Sequence, residues 1–449
     1  MKIFRKTGFS LSFILLVFVF SGFSGAVNSQ SFDKARLDSL LNYFYDNNKF
    51  QGTITISENG ENIYNKSYGF LDIANKIPAN TDTKYRIGSI SKTFTAVMIF
   101  NLIEENKIAL TDLLSKYYPE IPNSDKITIT HLLTHQSGIH NFTNSIDTSF
   151  YLYPKTKAEM IEKIKSFKTE FEPGEKTEYS NSNFVLLGYI LENLTGKSYP
   201  ELLQELICGK LGLKNTYYMK KINVSDNEAL SYNFASGEWV LEPETDLSVP
   251  HGAGALVSTT NDLTAFINGL FDLKLISQKS LDEMLVIEKG MGRGIFKMPF
   301  YENSGFGHTG GIDGFRSALV YFPEKKVSFA FTGNALNFSM NDLLIGALSI
   351  YFNRQYDFPK FESVEVKQEI LTKYTGVFSK KDFPIKITIT IVNGKLTAQG
   401  TGQPSFEPDA TSDTEFKFEQ AGLVMIFSED GEQLTLKQGG ETYLMKKEK

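Results

Sequence analysis

The chain has 449 residues, 41% of them apolar and 22% charged, with 46 Lys and Arg against 52 Asp and Glu, a net charge of -6 and a single cysteine. This composition is globular and long enough for more than one packed core, and it excludes a disordered chain, a collagen-like repeat and a disulfide-stapled scaffold. With no dense basic tract beyond the first residues, it also argues against a nucleic-acid partner, because backbone phosphates reward clustered Lys and Arg.

Lys2, Arg5 and Lys6 precede an apolar run from Phe13 to Phe20, followed by Ser21, Gly22, Ser24, Gly25 and Ala26. This is the layout of a secretory signal over residues 1–29, with cleavage expected after Ser29. The run is shorter than the roughly 20 residues of a membrane span, so an uncleaved anchor is the lesser alternative. The expected location is therefore the periplasm or the cell exterior. From Asp33 to Asn48 apolar residues recur at helical spacing, Thr53 to Ser57 alternates as a strand, and Asn59-Gly60 supplies two residues tolerant of positive φ for a hairpin turn. Helices are expected over Ser89 to Glu105, Asn181 to Leu194, Thr260 to Phe271 and Asn337 to Phe352. Strands are expected over Ser317 to Phe322 and Val327 to Phe331, joined by Pro323-Glu324-Lys325-Lys326. Together these predict an α/β domain over 30–354, with helices on a mainly antiparallel sheet. Residues 355–365 are polar and proline-containing and read as a linker, and 366–449 hold short strands with no long helix. There Ile385, Ile387, Ile389 and Ile391 alternate with Lys386, Thr388 and Thr390, and turns fall at Asn393-Gly394 and Asp430-Gly431. This tail predicts a small antiparallel barrel or sandwich.

Three short motifs carry chemistry. Ser89 and Lys92 are three apart at the head of an apolar helix, so they share a face. A serine hydroxyl is a weak nucleophile, and a neighbouring lysine whose charge is disfavoured by an apolar setting can activate it; a plain helix cap with a solvent-seeking lysine is the competing reading. Tyr179-Ser180-Asn181 follows the Glu172-Pro-Gly-Glu175 turn, so a phenol and an amide can reach a neighbouring site or merely cap the next helix. A cationic Lys92 beside Tyr179 would lower the phenol pKa and make it a proton shuttle. His308-Thr309-Gly310-Gly311 stands just ahead of a strand, where the N–H groups of Ser89 and Gly311 can hold the oxyanion of a tetrahedral intermediate.

In this order the S-x-x-K, Y-S-N and H-T-G motifs resemble the serine β-lactamase and penicillin-binding protein superfamily, in its class C-like branch. Ile129-Thr-His131-Leu-Leu-Thr-His135-Gln-Ser-Gly138, Glu172-Pro-Gly, Leu211-Gly-Leu-Lys-Asn-Thr and Gly254-Ala-Leu-Val-Ser-Thr-Thr-Asn-Asp262 support the likeness over residues 35–350. The tail is similar to lipocalin-like barrels appended to some members. The resemblance implies a β-lactamase/transpeptidase-like fold, an antiparallel sheet flanked by helices with a helical subdomain. It implies that Ser89 forms an acyl-enzyme, that Lys92 and Tyr179 move its proton, and that Ser89 and Gly311 donate to the oxyanion. Asn181 would position the acyl side, with His308, Thr309 and Gly310 on the opposite wall. His308 stands where many members carry lysine, so recognition of a substrate carboxylate loses its usual cation, and Arg316 can partly replace it or pair with a scaffold acid.

The expected function is an exported serine hydrolase cleaving amide or ester bonds, foremost a D-amino-acid peptidase or carboxypeptidase, acting on a small peptide, β-lactam or ester and meeting peptidoglycan. A class C-like β-lactamase or esterase, or a non-catalytic penicillin sensor or wall-binding protein, are the alternatives. No metal or organic cofactor is expected: His131 and His135 are four apart, a zinc spacing on a helix, but without an intervening glutamate or a third ligand they read as scaffold, as do His140 and His251. Cys208 reads as a small buried hydrophobe.

Overall fold

The computed structural model describes residues 32–448 apart from 236, 362, 363, 382, 384, 404, 419, 420, 439 and 440; the expected export segment, 1–29, lies outside the described residues. The first helix, α1 (Lys34–Asp46), is started by the Asp33 carboxylate, which accepts from Arg36 N at 2.9 Å. It leads to the hairpin β1 (Phe50–Glu58) and β2 (Glu61–Tyr68), whose turn places Asn59 at φ 52° and Gly60 at φ 84°. After α2 (Ser91–Glu104) and α3 (Asn181–Thr195) come the small hairpin β3 (Tyr232–Ala235) and β4 (Glu238–Leu241) and helix α4 (Thr260–Phe271). Strands β5 (Phe296–Phe300), β6 (Asn303–Ile312), β7 (Phe315–Phe322) and β8 (Val327–Leu336) follow, and then α5 (Met340–Tyr351).

The main sheet runs β5-β6-β7-β8-β1-β2, with β3 added beside β8 and β4 beside β3. β8 pairs antiparallel with β1, Ile54 opposite Phe331, so the two ends of the domain close one sheet. Its two faces are covered differently. Ile54, Ile56, Phe329 and Phe331 pack under α1 and α5 in one core, while Thr55 and Ser57 point the other way and are sealed by α4, through Thr55 Oγ1 to Thr260 Oγ1 at 2.7 Å and Asn268 Nδ2 to Ser57 Oγ at 3.0 Å. Beyond α4 lies a second core, built around α2 and α3.

The C-terminal region holds α6 (Gln368–Tyr374) and strands β9 (Gly376–Ser379), β10 (Ile387–Val392), β11 (Lys395–Gly400), β12 (Ser405–Phe406), β13 (Asp409–Ala410), β14 (Glu415–Phe418), β15 (Leu423–Phe427), β16 (Gln433–Gln438) and β17 (Glu441–Lys447). They form one sheet in the order β12-β11-β10-β9-β17-β16-β15-β14-β13. Its first and last strands, β12 and β13, are separated only by Glu407 and Pro408, so the sheet has to curl almost into a barrel. α6 plugs it: Leu371 and Tyr374 are buried in its core, the Tyr374 ring stacked 4.3 Å from Phe427. The stretch between the two sheets does not hang free. Phe361 stacks on Tyr43 of α1 at 5.1 Å, and Arg36 Nη2 donates to Tyr356 O at 2.7 Å. Among the described residues no helix is long and apolar enough to cross a membrane.

Candidate active site

Ser89 lies in a one-turn 3-10 segment, Gly88–Ile90, that runs straight into α2, so Ser89 and Lys92 stand one turn apart on one side. α2 plunges into the helical core; its residues from Ser91 to Leu102 are buried, and Lys92 is 0% exposed. Its Nζ is 2.9 Å from Ser89 Oγ, 2.7 Å from Asn181 Oδ1 and 2.7 Å from Ala253 O. Burial holds the Lys92 pKa well below the usual lysine range, because the interior disfavours the ammonium. The competing sequence reading, a capping serine with a solvent-seeking lysine, does not describe this geometry.

Tyr179 reaches the same point from the loop before α3. His135 holds that loop, its Nδ1 accepting from Ser180 N at 3.1 Å and its ring 4.4 Å from the Tyr179 ring. The phenol hydrogen-bonds Ser89, and the ring centroid is 4.9 Å from Lys92 Nζ. The expectation that a cationic Lys92 lowers the Tyr179 pKa is overturned: burial pushes the phenol up, and its hydrogen bond with Ser89 opposes this only in part. The reason is physical. A lysine sealed from water is not the fixed cation that reading requires. Asn181 opens α3 and lines the cleft, its Oδ1 on Lys92, its Nδ2 donating to Thr143 Oγ1 at 3.2 Å and its N–H donating to Asn141 Oδ1 at 3.0 Å.

The third motif lies on β6, pressed against the Ser89 turn. Gly88 has φ 49°, and a Cβ there would stand 2.8 Å from Gly311 N; a Cβ on Gly310 would stand 2.1 Å from Ile87 O. Only glycines permit this approach. β6 and β7 meet in a two-residue turn, Ile312 opposite Phe315, so ladder alternation turns the Gly311 N–H away from β7, and β5 ends its pairing at Gly307. That N–H therefore faces the cleft beside Ser89, and Thr309 is half-buried on the same edge. His308 is 3% exposed, its ring stacked 4.3 Å from Phe296 and its Nδ1 bonded to Thr309 O. Burial pushes its pKa down to about 3, so it is a neutral imidazole. In front of Ser89 opens a cleft of about 500 Å³, with Thr143, Asn181, Glu242, Gly311 and Arg316 among its walls. The Arg316 guanidinium lies against the Gly311 backbone, Nη1 donating to Phe315 O at 2.8 Å and Asp313 O at 3.2 Å.

Sequence reasoning misses several supports. Ala253 acts through its carbonyl, in the short helix His251–Gly254, which no side-chain pattern announces. Thr143 and Asn141 come from a loop with no motif of its own. His131 and His135 do not share a helix face, because the helix ends at Leu133 and His135 follows at φ 56°; His131 instead caps that helix through Thr128 N to Nδ1 at 3.3 Å. Cys208 is buried, and burial pushes its thiol up to about 12, the inert state expected of it.

Residues 37–347 match the family described as Beta-lactamase. A teichoic acid D-alanine hydrolase of Staphylococcus aureus strain MRSA252 is 28% identical over 246 residues, 55% of this chain and 60% of its own. The chain spans 64% and 60% of the lengths of two of the curated relatives it matches. Among solved structures, a D-amino acid amidase from Ochrobactrum anthropi SV3 superposes with a TM-score of 0.63 at 25% identity, covering 71% of this chain and 98% of that one. An octameric penicillin-binding protein homologue from Pyrococcus abyssi shares the fold over 92% of this chain and 100% of its own, with a TM-score of 0.64 and 23% identity. The protein is thus a member of the beta-lactamase family, related to the penicillin-binding proteins, and a serine hydrolase.

Proposed function

We propose that the protein is an exported hydrolase that opens amide or ester bonds at D-amino-acid residues through an acyl-enzyme on Ser89, as a penicillin-binding-protein-like peptidase or carboxypeptidase. One observation carries the reading: an amine shut off from water stands 2.9 Å from Ser89 Oγ. A neutral amine has two N–H bonds and one lone pair. Asn181 Oδ1 and Ala253 O can only accept, so they take the two N–H groups and leave the lone pair for the Ser89 proton. As Ser89 Oγ bonds to the substrate carbonyl carbon, that proton passes to Lys92 and the oxyanion takes hydrogen bonds from the N–H groups of Ser89 and Gly311. The intermediate collapses by breaking the bond to the leaving group, which receives the Tyr179 proton while Lys92 returns its own to the phenolate. Water then repeats the sequence in reverse on the acyl-enzyme and restores Ser89.

The D-residue preference is supported by relatives named for D-alanine hydrolysis and D-amino acid amides. Export is supported by the N-terminal pattern. Asn181, with Thr309 on the facing strand, would border the substrate chain, and Arg316 would meet a carboxylate; Gly310 is packed against Ile87 O and serves the approach of the strand rather than the substrate. The neutral, buried His308 favours a second reading, an amidase or esterase for substrates without a terminal carboxylate. Intact-protein mass spectrometry after exposure to D-alanyl-D-alanine peptides, D-amino acid amides, activated esters and β-lactams tests both. An acyl mass on the wild type and none on Ser89→Ala is the expected result. Rapid cephalosporin turnover would make it a β-lactamase instead, and the lack of any serine-dependent adduct would leave a non-catalytic sensor or wall-binding protein.

A further inference from the structure

The two N–H groups proposed to hold the oxyanion come from separate segments, one on the Ser89 turn and one on the β6–β7 hairpin. Backbone packing sets their closest approach, and Ser317 Oγ, opposite Gly310, ties the strands to Ile87 O at 2.8 Å, but Gly88 on one side and Gly310-Gly311 on the other bring no side chain of their own to hold the gap. A charged link closes it. Asp313 lies two residues past Gly311 in the hairpin turn, at φ 51°, and its side chain is 4% exposed. Its carboxylate accepts from Arg86 Nη1 at 2.9 Å, from Thr245 Oγ1 at 2.6 Å and from Thr245 N at 3.1 Å. Arg86 lies three residues before Ser89, is 3% exposed, and also donates to Glu244 Oε2 at 2.8 Å, Thr245 O at 3.0 Å and Lys220 O at 3.2 Å. One buried guanidinium thus ties the nucleophile turn, the hairpin tip and the Glu242–Thr245 wall of the cleft together.

We infer that Asp313 and Arg86 are positioning residues, a buried clamp that sets the separation between the Ser89 and Gly311 N–H groups and so the fit of the oxyanion site to the tetrahedral intermediate; this rests on the acyl-enzyme reading above. The argument is one of leverage. Both clamp residues lie within three residues of a donor along the chain; Asp313 borders the cleft, but its carboxylate is turned inward, 4% exposed and bonded to Arg86 and Thr245. Arg–carboxylate bonds are directional, so they fix orientation as well as distance. A donor displaced by about 1 Å costs on the order of a hundredfold in rate, with little change in ground-state binding.

The test is Asp313→Asn, which keeps the shape but removes the charge that Arg86 meets. The acylation rate constant should fall about a hundredfold, initial non-covalent binding of the same activated ester should stay within about threefold, and affinity for an arylboronic acid, which mimics the tetrahedral state, should fall by the factor lost in rate. Thr245→Val removes one hydrogen bond and leaves the ion pair, so should Asp313→Asn not fold, this variant should show the same split at a smaller, several-fold size. An unchanged acylation rate in a folded variant, or a loss confined to initial binding, overturns the clamp alone. A wild type that forms no Ser89-dependent adduct overturns the acyl-enzyme reading and the clamp with it.

Discussion

An amine buried away from water holds its proton weakly, and in this protein that weakness lies beside Ser89, the proposed nucleophile. The Lys92 pKa is depressed in the folded state, so between that value and the ordinary 10.5 the unfolded chain binds more protons than the folded one. Stability from this group therefore rises with pH across that window and falls when acid forces the ammonium into the core. The proposed acylation has the same sign, because in that mechanism the free lone pair takes the Ser89 proton. The acylation rate plotted against pH should show an ascending acid limb and then a plateau through about pH 9, where ordinary phenols are still protonated. Burial raises the Tyr179 phenol above its usual 10.0, so no descending limb from that group is expected within the plateau. Stopped-flow acylation with an activated ester measures the profile; a descending limb below pH 9 from a group abolished in Tyr179→Phe would contradict it. His308, already neutral, should leave no mark near its ordinary pKa of about 6.5.

At the scale of elements, the site depends on how closely β6 approaches the Ser89 turn. Ser317 Oγ donates to Ile87 O at 2.8 Å, and the Gly310 Cα lies against the same carbonyl. Gly310→Ala would place a Cβ 2.1 Å from Ile87 O, a backbone clash that no rotamer relieves. The strand must then back away, at a cost of about 1–3 kcal/mol in stability and about a hundredfold in acylation rate. Gly60→Ala is the contrast. It meets nothing within 4 Å and suffers only the strain of φ 84° in a distant hairpin, so melting temperature should fall modestly while acylation persists. Thermal melting together with acylation by a fluorescent penicillin separates the two. The glycines of the third motif can be read in the sequence as a close approach, but what they approach cannot.

For the whole molecule, two sheets with separate cores share one chain, and of the segment between them Tyr356 to Phe361 belongs physically to the first, while Val364 N already donates to Ala410 O of the second at 2.9 Å. Tyr356, Phe358 and Phe361 pack against the α1 and α5 core, with Phe361 also 5.3 Å from Phe44 and 5.4 Å from Phe338. A chain ending at Phe361 should fold and still acylate, whereas one ending at Arg354 exposes that core and should lose about 2–5 kcal/mol, the scale of deleting buried aromatics. Melting curves of the two truncations check this; equal stability would show the docking to be incidental. The polar composition of 355–365 reads as a linker, and its three aromatics are the part of that signal that points the other way.

Much of this protein is written locally. Periodicity places α4 from Thr260 to Phe271, glycine after asparagine or aspartate marks the Asn59-Gly60, Asn393-Gly394 and Asp430-Gly431 turns, and the spacing of Ser89 and Lys92 puts them on one side where the Gly88–Ile90 turn runs into α2. These follow from bond geometry within a few residues. What depends on folding is everything that needs two distant segments to meet: the alternating Thr and Ile of β1 suggests one wet face, yet α4 arrives from far along the chain and seals the hydroxyls, as Thr55 and Thr260 show, bonded although 205 residues apart. The charge state of Lys92, the protonation of Tyr179, the Ala253 carbonyl and the Asp313 to Arg86 pair are of the same kind. Protonation is set by surroundings, and surroundings are made of side chains that the order of residues along the chain does not place side by side.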